Sequence, residues 1–235
     1  MKILLYTHSD YSWVWKFWHQ QTDKFLKNFE KICFVNTNSF FREDYQIIKY
    51  NDKNTYKDRI LSCLDQIDDE EIVIFCHEDM FLYKKPDFIT INQYIDLIND
   101  EKCSLIKLIR AFEDLEKTNL HEKLFINPDK QLFSIQPTLI KIKTLKYIYK
   151  TVPGNNIWEF EANSSRKYLN NLISLCSFDI NSDKKRGKFH YDSSIYPYIC
   201  TAVIKGKWNF KEYKKELYEI FYNKKFNIFS YYLSK

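Results

Sequence analysis

The chain has 235 residues, 45% hydrophobic and 29% charged, which excludes a disordered chain and suits one large domain or two small ones. Its three glycines form no GxGxxG and no GxxxxGK[ST], so dinucleotide and P-loop signatures are both missing. The net charge of +5 is spread along the chain, which suits an anionic small substrate as well as it suits nucleic acid.

"KILLYT" (2–7) reads as a compact apolar strand, and "YSWVWKFWHQQTDKFLKNF" (11–29) has the spacing of an aromatic-rich helix. "KICFVNT" (31–37) is a second strand, so the three segments form a βαβ unit and a parallel pair. "TYKDRILSCLDQID" (55–68) repeats Ile60, Leu61, Leu64 and Ile67 at helical period and leads into the strand "EIVIFC" (71–76). A helix over 88–100 and a strand over 104–109 complete an alternating α/β first half. The second half reads as a strand, a proline break and a helix over 131–150, then a turn at 152–156 and the start of a helix within 157–169. A polar, basic loop over 183–198 and an amphipathic helix over 208–226 follow.

This predicts a single α/β domain, with a mixed, mainly parallel sheet flanked by helices. Residues 1–110 form a nucleotide-binding half, and 111–235 face an acceptor. The six cysteines make no CxxC pair and sit mostly in apolar runs, as small core residues of a reducing compartment do. The N-terminus is too soon polar for a signal peptide, and no apolar run reaches membrane-span length, so the expected location is the cytoplasm.

Ligands of open α/β sheets bind beyond the carboxyl ends of the strands. Polar groups collect at three such ends: Thr7, His8 and Ser9, then His77, Glu78 and Asp79, then Arg110. The stretch "VIFCHEDMFL" (73–82) sets an imidazole and two carboxylates between two hydrophobic runs, which is either a polar strand end facing solvent or a buried site where a charge needs a partner or a metal. Farther along, "NIWEFE" carries Glu159 and Glu161, and "KFHYD" carries His190. Glu159 equally suits a solvated first-turn position, where the helix dipole favours an anion. As consecutive helical residues turn about 100°, Glu159 and Glu161 point about 200° apart.

A strand-end acidic pair, a helix-start acid and a late histidine, in this order, resemble the GT-A glycosyltransferases. Similarity to small viral and bacterial members with "HEDM", "WEFE" and "HYD" elements spans nearly the whole chain. "HED" departs from the family's D-x-D, since His77 takes the first position. The resemblance implies a metal-dependent transferase that moves a sugar from a nucleotide-diphosphate donor to a hydroxyl of a glycan, glycoprotein or other acceptor. It further implies Mn²⁺ or Mg²⁺ held by Asp79 and His190, with Glu78 close by, and a cytoplasmic setting (the host's, for a viral member). Glu159 would be the general base of an inverting reaction, with Glu161 the other catalytic candidate. Thr7, His8, Ser9, Arg59, His77 and Glu78 would line the donor pocket. Lys107, Arg110, Arg186 and Lys188 would meet the diphosphate, the last two from a flexible loop around Gly187. Neither nucleic acid nor a membrane span belongs to this reading. Two alternatives are a nucleotidyltransferase on a related scaffold, which usually has a Gly-rich N-terminal loop that "YTHSDYSW" is not, and a non-enzymatic nucleic-acid-binding protein.

Overall fold

The computed structural model describes residues 1–39, 42–110, 112–113, 115–187, 190–204 and 206–222. Strand β1 (Lys2–Tyr6) is followed by a short 3₁₀ turn, helix α1 (Ser12–Phe25) and strand β2 (Lys31–Val35). Then come β3 (Tyr45–Lys49), α2 (Tyr56–Leu64), β4 (Ile72–His77), α3 (Phe88–Asn99) and β5 (Leu105–Lys107). Short strands β6 (Glu116–Lys117) and β7 (Leu124–Ile126) lead to β8 (Thr138–Lys141), α4 (Ile142–Thr151), α5 (Ile157–Asn163) and β9 (Ser174–Ser177). Two small hairpins, β10 (Lys185–Arg186) with β11 (His190–Tyr191) and β12 (Val203–Ile204) with β13 (Lys207–Trp208), precede α6 (Phe210–Tyr222).

One nine-stranded sheet runs through both halves in the order β3-β2-β1-β4-β8-β5-β9-β7-β6. β7 and β8 run against the other seven strands, so the sheet is mixed and mainly parallel, as the alternating pattern predicts. Ile3, Leu4, Leu5, Val73, Ile74 and Phe75 are all buried, so β1 and β4 are covered on both faces, and this is why they read as unbroken apolar runs. The chain goes from β1 outward to β2 and β3, then crosses to β4 on the other side of β1. The order reverses between β1 and β4, and their carboxyl ends lie in register, Tyr6 opposite His77. An open crevice forms at such a switch point.

Several elements depart from the sequence pattern for local reasons. The strand expected from 131 onward begins only after Pro137, whose carbonyl accepts from Leu108 N at 2.8 Å. α5 stops at Asn163, where the Ser164 hydroxyl bonds back to Phe160 O at 2.8 Å and its backbone leaves the helical region. The expected loop over 183–198 contains the β10–β11 hairpin. All six cysteines are buried free thiols. Among the described residues, no helix is long and apolar enough to cross a membrane.

Candidate active site

A cleft of about 1080 Å³ opens at the carboxyl ends of β1 and β4. Its first wall is aromatic. The Tyr6 ring stacks on Tyr50 at 5.4 Å and meets Tyr56 edge-on at 5.5 Å, with the His77 ring 5.1 Å away. The Tyr56 hydroxyl lies 3.4 Å from His77 Nε2 and 3.0 Å from the Tyr149 hydroxyl. Burial pushes the His77 imidazole down to about 3, so it is neutral near pH 7.

The floor is acidic. Glu78 and Asp79 lie in the turn after β4, which Met80 N closes on His77 O at 3.2 Å. Glu78 is buried. Trp15 Nε1 donates to Thr7 Oγ1 at 2.7 Å, and the Thr7 hydroxyl is hydrogen-bonded in turn to the Glu78 carboxylate. Burial, reinforced by the neighbouring Asp79 charge, pushes the Glu78 carboxyl well above its usual range; burial lifts Asp79 to about 6. Asp10, Asp52, Glu78, Asp79 and Glu161 line the cleft, and Arg59 is the one lysine or arginine among its described lining residues. The Arg59 guanidinium donates to Asn54 O at 2.9 Å and to the Asp52 carbonyl, and it sits 3.0 Å from Asp52 Oδ1. His8 Nδ1 accepts from Asp10 N at 3.1 Å, and its Nε2 lies 2.8 Å from Asp52 Oδ1.

A floor with five carboxylates and one arginine among its described lining residues is a donor set suited to a hard divalent cation. Among the described residues, no three His, Cys, Asp or Glu side chains converge into a ready-made shell. The fit is therefore to the two oxygen donors Glu78 and Asp79, with the remaining positions left to a bound anion and water.

The far wall is α5. Asn156 caps it, its Oδ1 accepting from Trp158 N at 3.1 Å and Glu159 N at 3.0 Å. Glu159 returns the bond, accepting from Asn155 N and from Asn156 Nδ2, each at 2.9 Å. This is a reciprocal cap related to the capping box but closed on Asn155 N and the Asn156 side chain, and its Glu is exposed and engaged outside the cleft lining. Phe160 is buried and stacks on Tyr149 at 4.5 Å. That anchor turns Glu161 into the cleft, where its Oε1 accepts from Ile135 N. Burial raises the Glu161 carboxyl, partly offset by that N–H and by the charge of Lys107.

Of the residues singled out from sequence, His8, Arg59, His77, Glu78, Asp79 and Glu161 meet in this cleft. Thr7 lies beneath it, fully buried, as the link to Glu78. Ser9 sits to one side, its N and Oγ both bonded to Asn36 at 2.9 Å. The structure does not bring Lys107, Arg110 or Arg186 to the cleft lining. Lys107 is buried in the sheet, and burial lowers its ammonium to about 8. Arg110 donates to the carbonyls of Phe112 and Glu113 and covers the Phe178 ring at 4.3 Å. Arg186 is held by Asp192 at 2.7 Å and by the buried Glu216. Lys188 lies outside the described residues. His190 is on β11, with the Glu212 charge acting on its ring, and does not join the acidic pair in the lining.

Sequence reasoning missed Tyr6, Asp52, Tyr56 and Trp158. Asp52 had a usable signal: "NDKN" follows the strand β3, so recognising "YQIIK" as a strand exposes a fourth polar carboxyl end. Tyr6 and Tyr56 look like ordinary core aromatics until the β1–β4 register puts them at a cleft.

No protein-family profile matches the chain, and no curated protein matches it. Among solved structures, it is similar to a galactosyltransferase, LgtC, crystallised with donor and acceptor sugar analogues: 13% identity over 72% of this chain and 66% of that one, TM-score 0.41. It is also similar to the 2-C-methyl-D-erythritol 4-phosphate cytidylyltransferase of Francisella tularensis, with 16% identity over 64% of this chain and 77% of that one, TM-score 0.38. The bifunctional IspDF of Campylobacter jejuni aligns at 15% identity over 66% of this chain, TM-score 0.37, and the match spans only 44% of that protein. These are distant likenesses.

Proposed function

We propose that the protein is a glycosyltransferase that uses a nucleotide-diphosphate sugar and a divalent metal. The observation that carries the reading is the acidic floor: buried Glu78 and half-buried Asp79 after the central strand, at the switch point, in a cleft whose described lining residues include five acids and one arginine. A diphosphate enters such a site only with a cation, and Mn²⁺ or Mg²⁺ on Asp79 and Glu78 supplies charge neutralisation for the leaving group. The sequence resemblance to GT-A glycosyltransferases supports the same reading.

The chain's own groups then have distinct tasks. The aromatic wall of Tyr6, Tyr56 and neutral His77 offers a surface to a flat nucleobase, and Arg59 adds a cation beside it. Glu161, rather than the capping Glu159, is the base: it faces the cleft, and its raised carboxyl holds a proton more readily than a solvated one. It takes the acceptor's hydroxyl proton as that oxygen attacks the anomeric carbon. The bond from that carbon to the diphosphate oxygen breaks, and the electron pair leaves with the nucleoside diphosphate. One displacement assisted by one base inverts the anomeric centre.

Thermal unfolding with UDP-glucose, UDP-galactose, GDP-mannose or CTP, each with and without Mn²⁺, tests this. Wild type should be stabilised by a nucleotide-sugar only when the metal is present, by about 2.7 kcal/mol at 100 times the dissociation constant. Asp79→Asn should fold and lose that increment. Stabilisation by CTP alone among the four would favour nucleotidyl transfer, and metal-independent binding untouched by Asp79→Asn would overturn the metal site.

A further inference from the structure

Trp158 lies on the cleft lining with 76% of its surface exposed. A single exposed apolar side chain is ordinary. Three observations set this one apart.

Its support is rigid. Asn156 and Glu159 close the reciprocal cap around it, and Phe160 locks the helix onto Tyr149. The preceding turn approaches so closely that a Cβ on Gly154 would fall 2.6 Å from Phe160 N. The same short helix buries Phe160 completely, so it has an apolar face and Trp158 is not on it. Second, among the described residues neither a ring nor a cation packs on the indole, and its N–H bonds to no side chain or backbone carbonyl. Third, Trp158 and Glu161 are three residues apart, which sets them on neighbouring positions of one helix face, and both line the same cleft.

We propose that Trp158 is a stacking platform for a pyranose ring, which makes the acceptor a carbohydrate rather than a protein side chain or a simple alcohol. A pyranose presents axial C–H groups on one face and hydroxyls around its edge. The C–H face matches the electron-rich face of an indole, and the edge stays free for polar groups such as the neighbouring Asn155 and Asn156. A sugar seated there brings one hydroxyl towards Glu161. Its identification as the acceptor rests on the glycosyltransferase reading; carbohydrate binding by Trp158 does not.

The test is saturation-transfer NMR with lactose, cellobiose and methyl α-D-mannopyranoside on the full chain, without donor, for wild type, Trp158→Ala and Trp158→Phe. At least one sugar should bind wild type, about tenfold more weakly to Trp158→Ala and intermediately to Trp158→Phe. UDP-glucose affinity in the presence of Mn²⁺ should stay within about twofold, and the melting temperature should not move because the side chain is exposed. Sugar binding unchanged in Trp158→Ala, or no binding of any of the three to wild type, overturns the proposal. Loss of UDP-glucose binding with sugar binding retained also overturns it and makes Trp158 a nucleobase platform. If wild type binds a sugar through Trp158 but binds no nucleotide-sugar under any metal condition, the platform stands and the transferase reading fails.

Discussion

Glu159 and Glu161 are two residues apart, and glutamine at either position separates a cap from a base. Glu159 makes its two accepted bonds, to Asn155 N and Asn156 Nδ2, at the start of α5. Glutamine keeps one of the two acceptors, so Glu159→Gln should cost less stability than removal of the side chain and leave turnover nearly intact. Glu159→Ala removes both bonds and should cost about 1 kcal/mol of stability, within the range measured for lost caps. Glu161→Gln retains an oxygen for Ile135 N but loses the proton acceptor. Its turnover should fall by roughly 10²–10⁴-fold, the usual worth of a general base, with donor affinity unchanged. Nucleoside diphosphate release at saturating donor and acceptor measures the rate, and urea unfolding measures the cap. The pH profile supplies a further check. A base works deprotonated, so the rate should rise with pH through the raised Glu161 value. The positive charge of Lys107 opposes that rise in the carboxyl, so Lys107→Met should move the acid limb to higher pH. A large rate loss in Glu159→Gln alongside normal turnover in Glu161→Gln would refute the assignment, because it would require α5 to face the cleft with its other side.

Gly154→Ala drives a Cβ to 2.6 Å from Phe160 N and 2.8 Å from its Cα; backbone cannot swing aside, so the variant should lose about 1–3 kcal/mol in denaturant unfolding. Arg186→Ala strands the buried Glu216 and should cost towards the lower end of about 3–5 kcal/mol, since the arginine is itself partly exposed, while nucleotide-sugar affinity measured below the melting transition stays unchanged. Burial lowers His19 to about 4 from an ordinary 6.5, so the unfolded chain binds more protons between these values and His19's contribution to stability falls as pH drops through that window. His19→Gln should flatten this part of the melting-temperature profile, and an identical slope in both proteins would contradict the assignment.

Local pattern was sufficient for much of the scaffold. β1, β2 and β4 are covered on both faces, and a strand so placed must be apolar throughout, which a sequence displays directly. The helices from α1 to α4 show their buried stripe at helical period for the same reason. The place of the acids after β4 was legible too, because charges that interrupt an apolar run mark the strand's end. β6 and β7 were not legible: each is two or three residues long, too short for any period to register. Nor was the insertion of β8 between β4 and β5, since strand order is set by long-range pairing and not by any local run. The same holds within the site. A sequence shows that Arg186 is a cation, but not that Glu216, thirty residues on, has captured it. It shows that Glu159 and Glu161 point apart on a helix, and only the packing of Phe160 on Tyr149 decides which of them meets the cleft. Residue chemistry and local periodicity are carried by the chain itself, whereas the pairing of charges and the rotation of a helix depend on neighbours that folding brings together.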